Sequence, residues 1–157
     1  MKFKTPTLLL FLFILTLPLL SQGKNESPGL AAASIDTELK TNAHAVIRYD
    51  STFVEVTAGN SINFKRKYAI TILNENGKDY GNLFESYNNQ INICHIRGSL
   101  FDATGKLIRR LKERDILDRS TLGLDYIFNS DLRIKSYDFV CPTYPYTVVY
   151  EFEKKIN

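Results

Sequence analysis

The sequence predicts an all-β domain in which short antiparallel strands form a sandwich or an incomplete barrel. Three observations carry this prediction. From about residue 45 almost to the end, apolar and polar residues alternate with a period of two, the period of side chains along a strand. Turn-forming residues separate the alternating runs at short intervals. No internal repeat and no heptad pattern occurs in the sequence.

The amino terminus, residues 1–23, is typical of a secretory signal peptide. Two lysines lie within the first four residues, and residues 8–20 are almost wholly Leu, Phe and Ile. Ser21 and Gly23 are small enough for the subsites of a signal peptidase, so we expect cleavage before Lys24. The chain is therefore predicted to be exported, to a periplasm or to the outside of the cell.

Two alternatives to this processing stay open. The apolar run could be an uncleaved membrane anchor, although it is shorter than the roughly 20 residues that cross a bilayer. A second cluster of small residues, at 31–33, could be another cleavage point. Sequencing the amino terminus of exported protein distinguishes these alternatives.

Charge and length restrict the class of protein. Without residues 1–23 the chain has 134 residues, which is one ordinary domain with enough length to bury a modest core. Loss of two lysines leaves 18 basic against 17 acidic residues, a formal charge of +1. A near-neutral chain argues against nucleic acid or an anionic membrane as the main partner. Residues 106–119 are locally basic, but acids lie between the bases, as on a solvated strand and turn.

The domain is expected to begin with a short helix. Residues 24–34 are polar and lack periodicity, which predicts a flexible leader before a β-sandwich domain at 35–157. Ser34 is a suitable helix cap, and Ile35 and Leu39 have the spacing of one helix face. We expect this helix to end near residue 42.

The first two strands are predicted at residues 45–56 and 62–72. In the first, the apolar face shifts at Val54, as a β-bulge would cause. In the second, isoleucines and aromatic residues alternate with polar residues, the pattern of a half-buried antiparallel strand. Asn76-Gly77 then predicts a type I′ hairpin turn, since both residues tolerate positive φ.

The remaining strands follow at similar intervals. Cys94 begins an alternating run, and residues 102–105 predict a hairpin that returns it. We expect a loop at 115–123 and a tight turn at Tyr144-Pro145-Tyr146 with a possible cis bond before Pro145. The predicted strands in this part, with the return from Asn76-Gly77, are 80–87, 94–101, 106–111, 126–128, 133–139 and 147–153.

The candidates for chemistry are two cysteines and two histidines. Cys94 and His95 are neighbours on a predicted strand, so their side chains should point to opposite faces and could not form a thiolate–imidazole pair. Cys94 shares its predicted face with Ile96 and Leu100, which favours a buried, inert core residue. Catalysis by Cys94 is disfavoured, because apolar surroundings raise the pKa of a thiol.

A disulfide between Cys94 and Cys141 is the other open reading, because exported proteins meet an oxidising compartment. It would close a 47-residue loop and add roughly 3 to 4 kcal/mol by chain entropy. His44, His95 and the two cysteines lack the spacing of a zinc site.

No other residues form a recognised site. Carboxylates are plentiful without an evident catalytic pair, and neither a phosphate-binding loop nor a nucleophile elbow occurs. Nine tyrosines and many asparagines would suit a sugar-binding face, but Tyr is also an ordinary strand residue. We therefore expect no catalytic, cofactor-binding or metal site, and a glycan ligand has only weak support.

Four ordered segments carry a resemblance to a known family. They resemble exported bacterial domains of unknown function that precede a transglutaminase-like core, and the resemblance covers about residues 35–153. The segments are residues 42–50, 66–74, 96–106 and 144–151. The resemblance implies an immunoglobulin-like β-sandwich, followed in longer relatives by a Cys-His-Asp peptidase-like or acyl-transfer domain.

The sequence departs from that family at its end. Asn157 precedes any such core, so the sandwich itself could be incomplete and the strand at 147–153 could be an unpaired edge that recruits another strand. Neither Cys94 nor Cys141 opens a helix as a transglutaminase nucleophile would, so no catalytic residue carries over.

Two functions follow as expectations. The first is a non-catalytic exported accessory or interaction module, whose partner is a downstream transglutaminase-like domain or another exported protein. The second is the amino-terminal fragment of a larger transglutaminase-like peptidase or acyltransferase, with its catalytic residues beyond Asn157.

Overall fold

A computed structural model of the chain describes residues 27–57, 59, 61–121 and 131–157, so the predicted signal segment and the predicted strand at 126–128 lie outside the described residues. The described part contains one short helix, several 3-10 turns and eight strands. In chain order these are α1 (Thr37–Lys40), β1 (Ala45–Val56), β2 (Ile62–Ile72), β3 (Leu83–Tyr87), β4 (Ile91–Phe101), β5 (Leu107–Arg110), β6 (Leu117–Ser120), β7 (Arg133–Tyr137) and β8 (Tyr146–Ile156).

The strands form two antiparallel sheets. The larger sheet has the order β1-β2-β8-β4-β5, and the smaller has the order β3-β7-β6. This confirms the predicted all-β sandwich class with a short amino-terminal helix. The expectation of an unpaired carboxy-terminal edge is wrong, because β8 lies between β2 and β4 and pairs with β2 over residues 146–156 and with β4 over residues 147–156.

The core lies between the sheets and is rich in aromatic residues. The Phe139 and Tyr150 rings stack with their centroids 5.7 Å apart, and the buried Tyr150 hydroxyl donates to the carbonyl oxygen of Gly81 at 2.9 Å. No described buried side-chain N or O atom lacks a hydrogen-bond partner. The buried cluster comprises Tyr68, Ile72, Leu83, Leu100, Phe139, Cys141, Tyr146, Val148, Tyr150 and Phe152.

The helix is shorter than its sequence pattern suggests. Asn42, with φ of 59°, lies just beyond it, as expected for the end of the helix. Ser34 lies outside the helix and does not cap it, and Ile35 is buried while Leu39 is 57% exposed. Their shared face is therefore a wrong prediction, because Ile35 precedes the helix in extended backbone.

β1 contains a bulge, but not at the predicted residue. The pairing with β2 shifts between Ile47 and Tyr49, and it runs regularly through Val54. Arg48 is the extra residue. A bulge of this kind breaks the alternation and re-aims the side chain at that position.

The Asn76-Gly77 hairpin is wrong. These residues lie in a 3-10 turn, Glu75–Gly81, and β3 pairs with β7 rather than with β2. Gly77 is buried with its α-carbon against the His44 carbonyl, where a β-carbon would clash. Close packing, not positive φ, is the reason for glycine here.

The second predicted hairpin is confirmed. The β4–β5 turn places Gly105 at φ of 85°, and the Asp102 carboxylate accepts from the backbone N–H groups of Thr104 and Lys106. The bond between Tyr144 and Pro145 is cis, as the sequence suggested. The loop predicted at 115–123 contains a strand, β6, which pairs with β7.

Candidate functional site

Cys94 does not belong to the core. It is exposed, and the pairing of β4 with β8 shifts between Ile93 and His95. Ile93 and Ile96 are half-buried on either side of two exposed residues, so the strict alternation behind the sequence prediction fails at this bulge. The buried-core interpretation of Cys94 is therefore wrong. Strict alternation does not apply to Cys94 and His95 at this bulge.

The two cysteines are free thiols, so the considered Cys94–Cys141 disulfide is not formed in this structure. Cys141 is buried in the core cluster, and its thiol donates to the carbonyl oxygen of Thr143 at 3.4 Å. Cys94 lies on the surface of β4, at the bulge. One thiol is inside the sandwich and the other is outside it.

A small hollow lies beside Cys94 at the part of β4 that β5 does not reach. Its volume is about 80 Å³, and His95, Glu113 and Lys135 also line it. No hydrogen bond joins Cys94, His95 and Glu113 in the described part of the chain, so no base is oriented toward the thiol. The hollow holds a few waters at most and lacks the constellation of a cysteine enzyme.

The histidines do not converge. His44 lies before β1, where its Nδ1 is 3.1 Å from the side-chain oxygen of Asn74. His95 lies on β4, opposite Glu153 of β8. Within the described ranges no group of three or more His, Cys, Asp or Glu side chains could hold a metal ion.

The exposed outer face of the larger sheet carries compensated charge. Carboxylates on β8 lie between cations on β2 and β4: Lys65 contacts Glu153 at 2.7 Å, and Arg97 lies 3.9 Å from Glu151. A hollow of about 240 Å³ follows these residues. Since both charge signs are interleaved, this face offers no strong preference for an anionic or a cationic ligand.

The space between the sheets is polar at one end. Asp118 of β6 accepts hydrogen bonds from the Tyr87 hydroxyl at 2.7 Å and from Lys135 at 3.0 Å, and it pairs with Arg133 at 3.0 Å. Burial alone would raise the pKa of Asp118, but these hydrogen bonds outweigh it and lower the pKa below its usual value. Every member of this network has partners, so the network is structural.

Another ion pair, separate from the Asp118 network, links the two sheets directly. Lys154 of β8 contacts the Glu85 carboxylate of β3 at 2.7 Å, and it also donates to the carbonyl oxygen of Ser86 at 3.0 Å. The side chains of Lys154 and Glu85 are only 15% and 13% exposed. This pair ties β3 to the larger sheet.

An exposed apolar flank is the strongest candidate for a functional surface. Ile47 on β1, Tyr80 in the 3-10 turn and Phe84 on β3 are 65%, 63% and 65% exposed, and all three line one hollow of about 230 Å³. Monomeric proteins seldom leave large apolar side chains clustered in this way without a partner. We call Ile47, Val54, Val56, Tyr80 and Phe84 the flank.

The flank results from the unequal strand number of the two sheets. Val54 pairs with Phe64 and Val56 pairs with Ile62, so both valines face the side of the sheet that packs on the core, yet they are 54% and 74% exposed. Five strands face only three, and the smaller sheet does not reach over β1. No described strand pairs with the outer edge of β3, which borders the same hollow.

An ion pair lies in the hollow that Ile47, Tyr80 and Phe84 line. Arg66 donates to both carboxylate oxygens of Asp50, at 2.9 and 2.6 Å. The Arg66 hydrogen bond lowers the pKa of Asp50 below its usual value, against a smaller effect of burial. The two charges neutralise each other, which leaves a surface suited to an uncharged partner.

The flank was not found from the sequence. Ile47 lies in a run that alternates like any half-buried strand, and only the sheet order shows that its core-facing side is uncovered. Phe84 follows the buried Leu83 and lies on the opposite face of β3. The one available signal was Val56, an apolar residue beside the polar turn that ends β1.

No helix within the described ranges is long and apolar enough to cross a membrane.

Comparison with solved structures shows the same fold in a larger protein. A crystal structure from Parabacteroides distasonis, described as a putative protease, aligns with a TM-score of 0.58 and 12% sequence identity. The alignment covers 73% of this chain and 23% of that chain, so the chain spans less than a quarter of the protein it matches. At this identity the likeness concerns the fold alone. No curated protein matches the chain.

Comparison with protein families gives a match over residues 58–157, which is more than half of the chain. The family is described as a domain of unknown function with a solved structure. This agrees with the resemblance to domains of unknown function found in the sequence. The chain belongs to the DUF3857 family.

Proposed function

We propose that the chain is a non-catalytic, exported interaction module that docks onto further polypeptide through the flank. The observation that carries this proposal is the clustering of exposed apolar side chains at the one place where the smaller sheet leaves β1 uncovered. The occupant is an extended, largely uncharged segment that adds to the outer edge of β3 and covers the valines of β1. Strand addition supplies backbone hydrogen bonds, and side chains at alternate positions supply the apolar contact.

The chemistry of the flank supports such a partner. Phe84 and Ile47 flank the neutralised pair of Asp50 and Arg66, so a charged segment would lose its hydration without finding an unpaired opposite charge. Apolar side chains at alternate positions would instead displace water from exposed Ile47 and Phe84.

Cross-linking in the cells that produce the protein tests the flank. A photoreactive benzoylphenylalanine is placed at position 84 in one variant and at position 140 in another, because Phe84 and Val140 are similarly exposed at 65% and 72%. A discrete cross-linked product from position 84, absent from position 140, supports the proposal. Failure to cross-link from position 84, or equal products from both positions, contradicts it.

The absence of catalysis has its own test. Purified protein is assayed for hydrolysis of casein and for transfer of a fluorescent amine to casein, beside a Cys94→Ala variant. We expect the two proteins to give the same background. Activity that disappears in Cys94→Ala would show that the exposed thiol is a nucleophile and would overturn the proposal.

A second proposal is that the chain is the amino-terminal part of a larger transglutaminase-like peptidase or acyltransferase. It is supported by the fold match, since the matched protein is described as a putative protease and extends far beyond the aligned region. Reading the coding DNA beyond Asn157 tests it. An open frame with a Cys at a helix start followed by His and Asp favours this proposal, and a stop codon directly after Asn157 contradicts it.

A further inference from the structure

The segment before the helix lies across the outer face of the larger sheet. We call residues 27–35 the strap. Its backbone bonds to the β4–β5 turn, since the Ser27 N–H donates to the Gly105 carbonyl at 2.9 Å and the Ala32 N–H donates to the Ala103 carbonyl at 2.9 Å. The sequence predicted a flexible leader at residues 24–34. The described part of that leader, residues 27–34, is instead held to the sheet.

The Arg48 side chain binds backbone groups of the strap. The guanidinium donates to three consecutive strap carbonyls, to one strap hydroxyl and to one hydroxyl of the sheet. The acceptors are the carbonyl oxygens of Gly29 at 2.8 Å, Leu30 at 3.4 Å and Ala31 at 3.2 Å, and the hydroxyls of Ser34 at 2.6 Å and Thr71 at 3.3 Å.

The bulge in β1 explains how Arg48 reaches the strap. Tyr49 pairs with Ala69, whose face is the outer one, while Ile47 pairs with Ile70 on the core face. The extra residue between them lets Arg48 share the outer face with Tyr49. A β-bulge commonly re-aims one side chain for such a purpose.

Leu30 anchors the strap in an apolar socket. Leu30 is only 9% exposed and packs with Ala69 and Phe101, which are 0% and 9% exposed. Its carbonyl oxygen also accepts from the buried Thr147 hydroxyl at 3.2 Å, and Thr147 and Thr71 lie 2.8 Å apart through their hydroxyls. The socket is completed by Tyr49, Leu107 and Val149.

These contacts have the form of a peptide-binding site. Most of them are made to backbone carbonyl and N–H groups of the strap, with the Leu30 side chain and the Ser34 hydroxyl added, and the strap contains no charged residue. The groove is composed of residues from β1, β2, β4, β5 and β8 and from the β4–β5 turn, all of which belong to the sheet without the strap. Its shape and donors therefore do not depend on a covalent link between the strap and β1.

We propose that this groove is a peptide-binding site for a short, uncharged segment with a leucine anchor, filled by the chain's own strap and able to accept the same segment from a separate molecule. Arg48 and Thr147 recognise the backbone of the peptide, and the Thr71 hydroxyl positions both of them. The socket around Ala69 and Phe101 recognises the leucine.

Nicking the connection tests the proposal. A protease recognition sequence replaces α1, Thr37–Lys40, none of whose residues is buried, in the chain that begins at Lys24. After folding and cleavage, the strap is held only by its non-covalent contacts. Excess peptide with a fluorescent label and the sequence of residues 24–36 is added, and its binding is followed by fluorescence anisotropy.

Two peptide variants make the test specific. The Leu30→Asp peptide should bind at least about tenfold more weakly, because it loses the burial of the leucine side chain. The Ala33→Asp peptide is the matched control, since it carries the same added charge at an exposed position of the strap. It should bind as the unchanged peptide does.

The expected result is that the cleaved strap co-elutes with the domain and exchanges with labelled peptide. An Arg48→Gln domain should retain its circular dichroism spectrum and bind the peptide more weakly. Equal binding of the Leu30→Asp and unchanged peptides would overturn the proposal. So would loss of the strap without rebinding of added peptide, whether the nicked domain stays folded or unfolds.

Discussion

Arg48 donates from Nη2 to the hydroxyl oxygen of Ser34 over 2.6 Å, which is the shortest of its five contacts to the strap and sheet. This bond joins β1 to a segment 14 residues earlier in the chain. The same guanidinium donates to three consecutive carbonyl groups of the strap. Burial lowers the pKa of Arg48, in keeping with its place under the strap.

Replacing Arg48 by Gln should destabilise the fold. Three carbonyl oxygens and the Ser34 hydroxyl would lose a charged donor, and we expect a loss of about 2 kcal/mol in the free energy of unfolding. Urea denaturation followed by circular dichroism measures it. Arg97→Gln is the control, since Arg97 is 76% exposed with a carboxylate only at 3.9 Å. Equal midpoints for Arg48→Gln and the unchanged chain would show that the strap contacts contribute nothing.

The Lys154–Glu85 pair should matter more than the exposed pairs. Removing one partner of a buried ion pair leaves the other charge uncompensated, so Lys154→Met should cost about 2 kcal/mol, below the full buried value because both side chains keep some exposure. The double variant Lys154→Met, Glu85→Leu should recover most of this loss. Lys65→Met, at a more exposed pair, should leave the urea midpoint unchanged. A double variant less stable than Lys154→Met alone would contradict this account.

Asp118 should make stability depend on acid pH. Its pKa is lower in the folded chain than in the unfolded chain, so the unfolded chain binds more protons there. The resulting stabilisation is complete above the ordinary pKa of about 4 and is lost as pH falls through the lower, folded value. Asp118→Asn should therefore be less stable at neutral pH and lose less stability on acidification. Parallel curves of unfolding free energy against pH for the two proteins would exclude this role.

Local patterns predicted much of the fold. Alternation predicted β2 and residues 147–153 of β8, and Asp102 with Gly105 predicted the β4–β5 turn. These predictions succeeded because each signal acts within a few neighbouring residues. The central position of β8 could not be obtained in this way. Sheet order depends on contacts between distant segments, which a single alternating run does not report.

The features of the candidate sites depend on register. Arg48 and Cys94 both lie at bulges, and a bulge exists only relative to the partner strand. Without that register, Cys94 takes the parity of Ile96 and is assigned to the core. The hairpin prediction at Asn76-Gly77 fails for a related reason, since the need for glycine comes from the His44 backbone and not from the turn itself.

Gly77 should be intolerant of a side chain. A β-carbon at this position would collide with the carbonyl oxygen of His44, and backbone on both sides leaves little room to move. We expect Gly77→Ala to cost about 1 to 3 kcal/mol, by the usual effect of overpacking. Gly29→Ala is the control in open space. Thermal unfolding of the two variants decides, and a Gly77→Ala protein as stable as the control would refute the close approach.

The strap also limits where the predicted signal segment can be removed. Cleavage at the small residues 31–33 would take away Leu30 and the carbonyl groups that Arg48 binds, leaving the socket open and the Thr147 hydroxyl without that acceptor. Cleavage before Lys24 keeps the whole strap. We therefore expect the exported protein to begin at or near Lys24, and intact mass with amino-terminal sequencing measures this directly. A chain expressed from Ser34 should unfold at lower urea concentration than one expressed from Lys24. Exported protein that begins at Ser34 would contradict the prediction, and one that begins at Met1 would contradict signal cleavage itself.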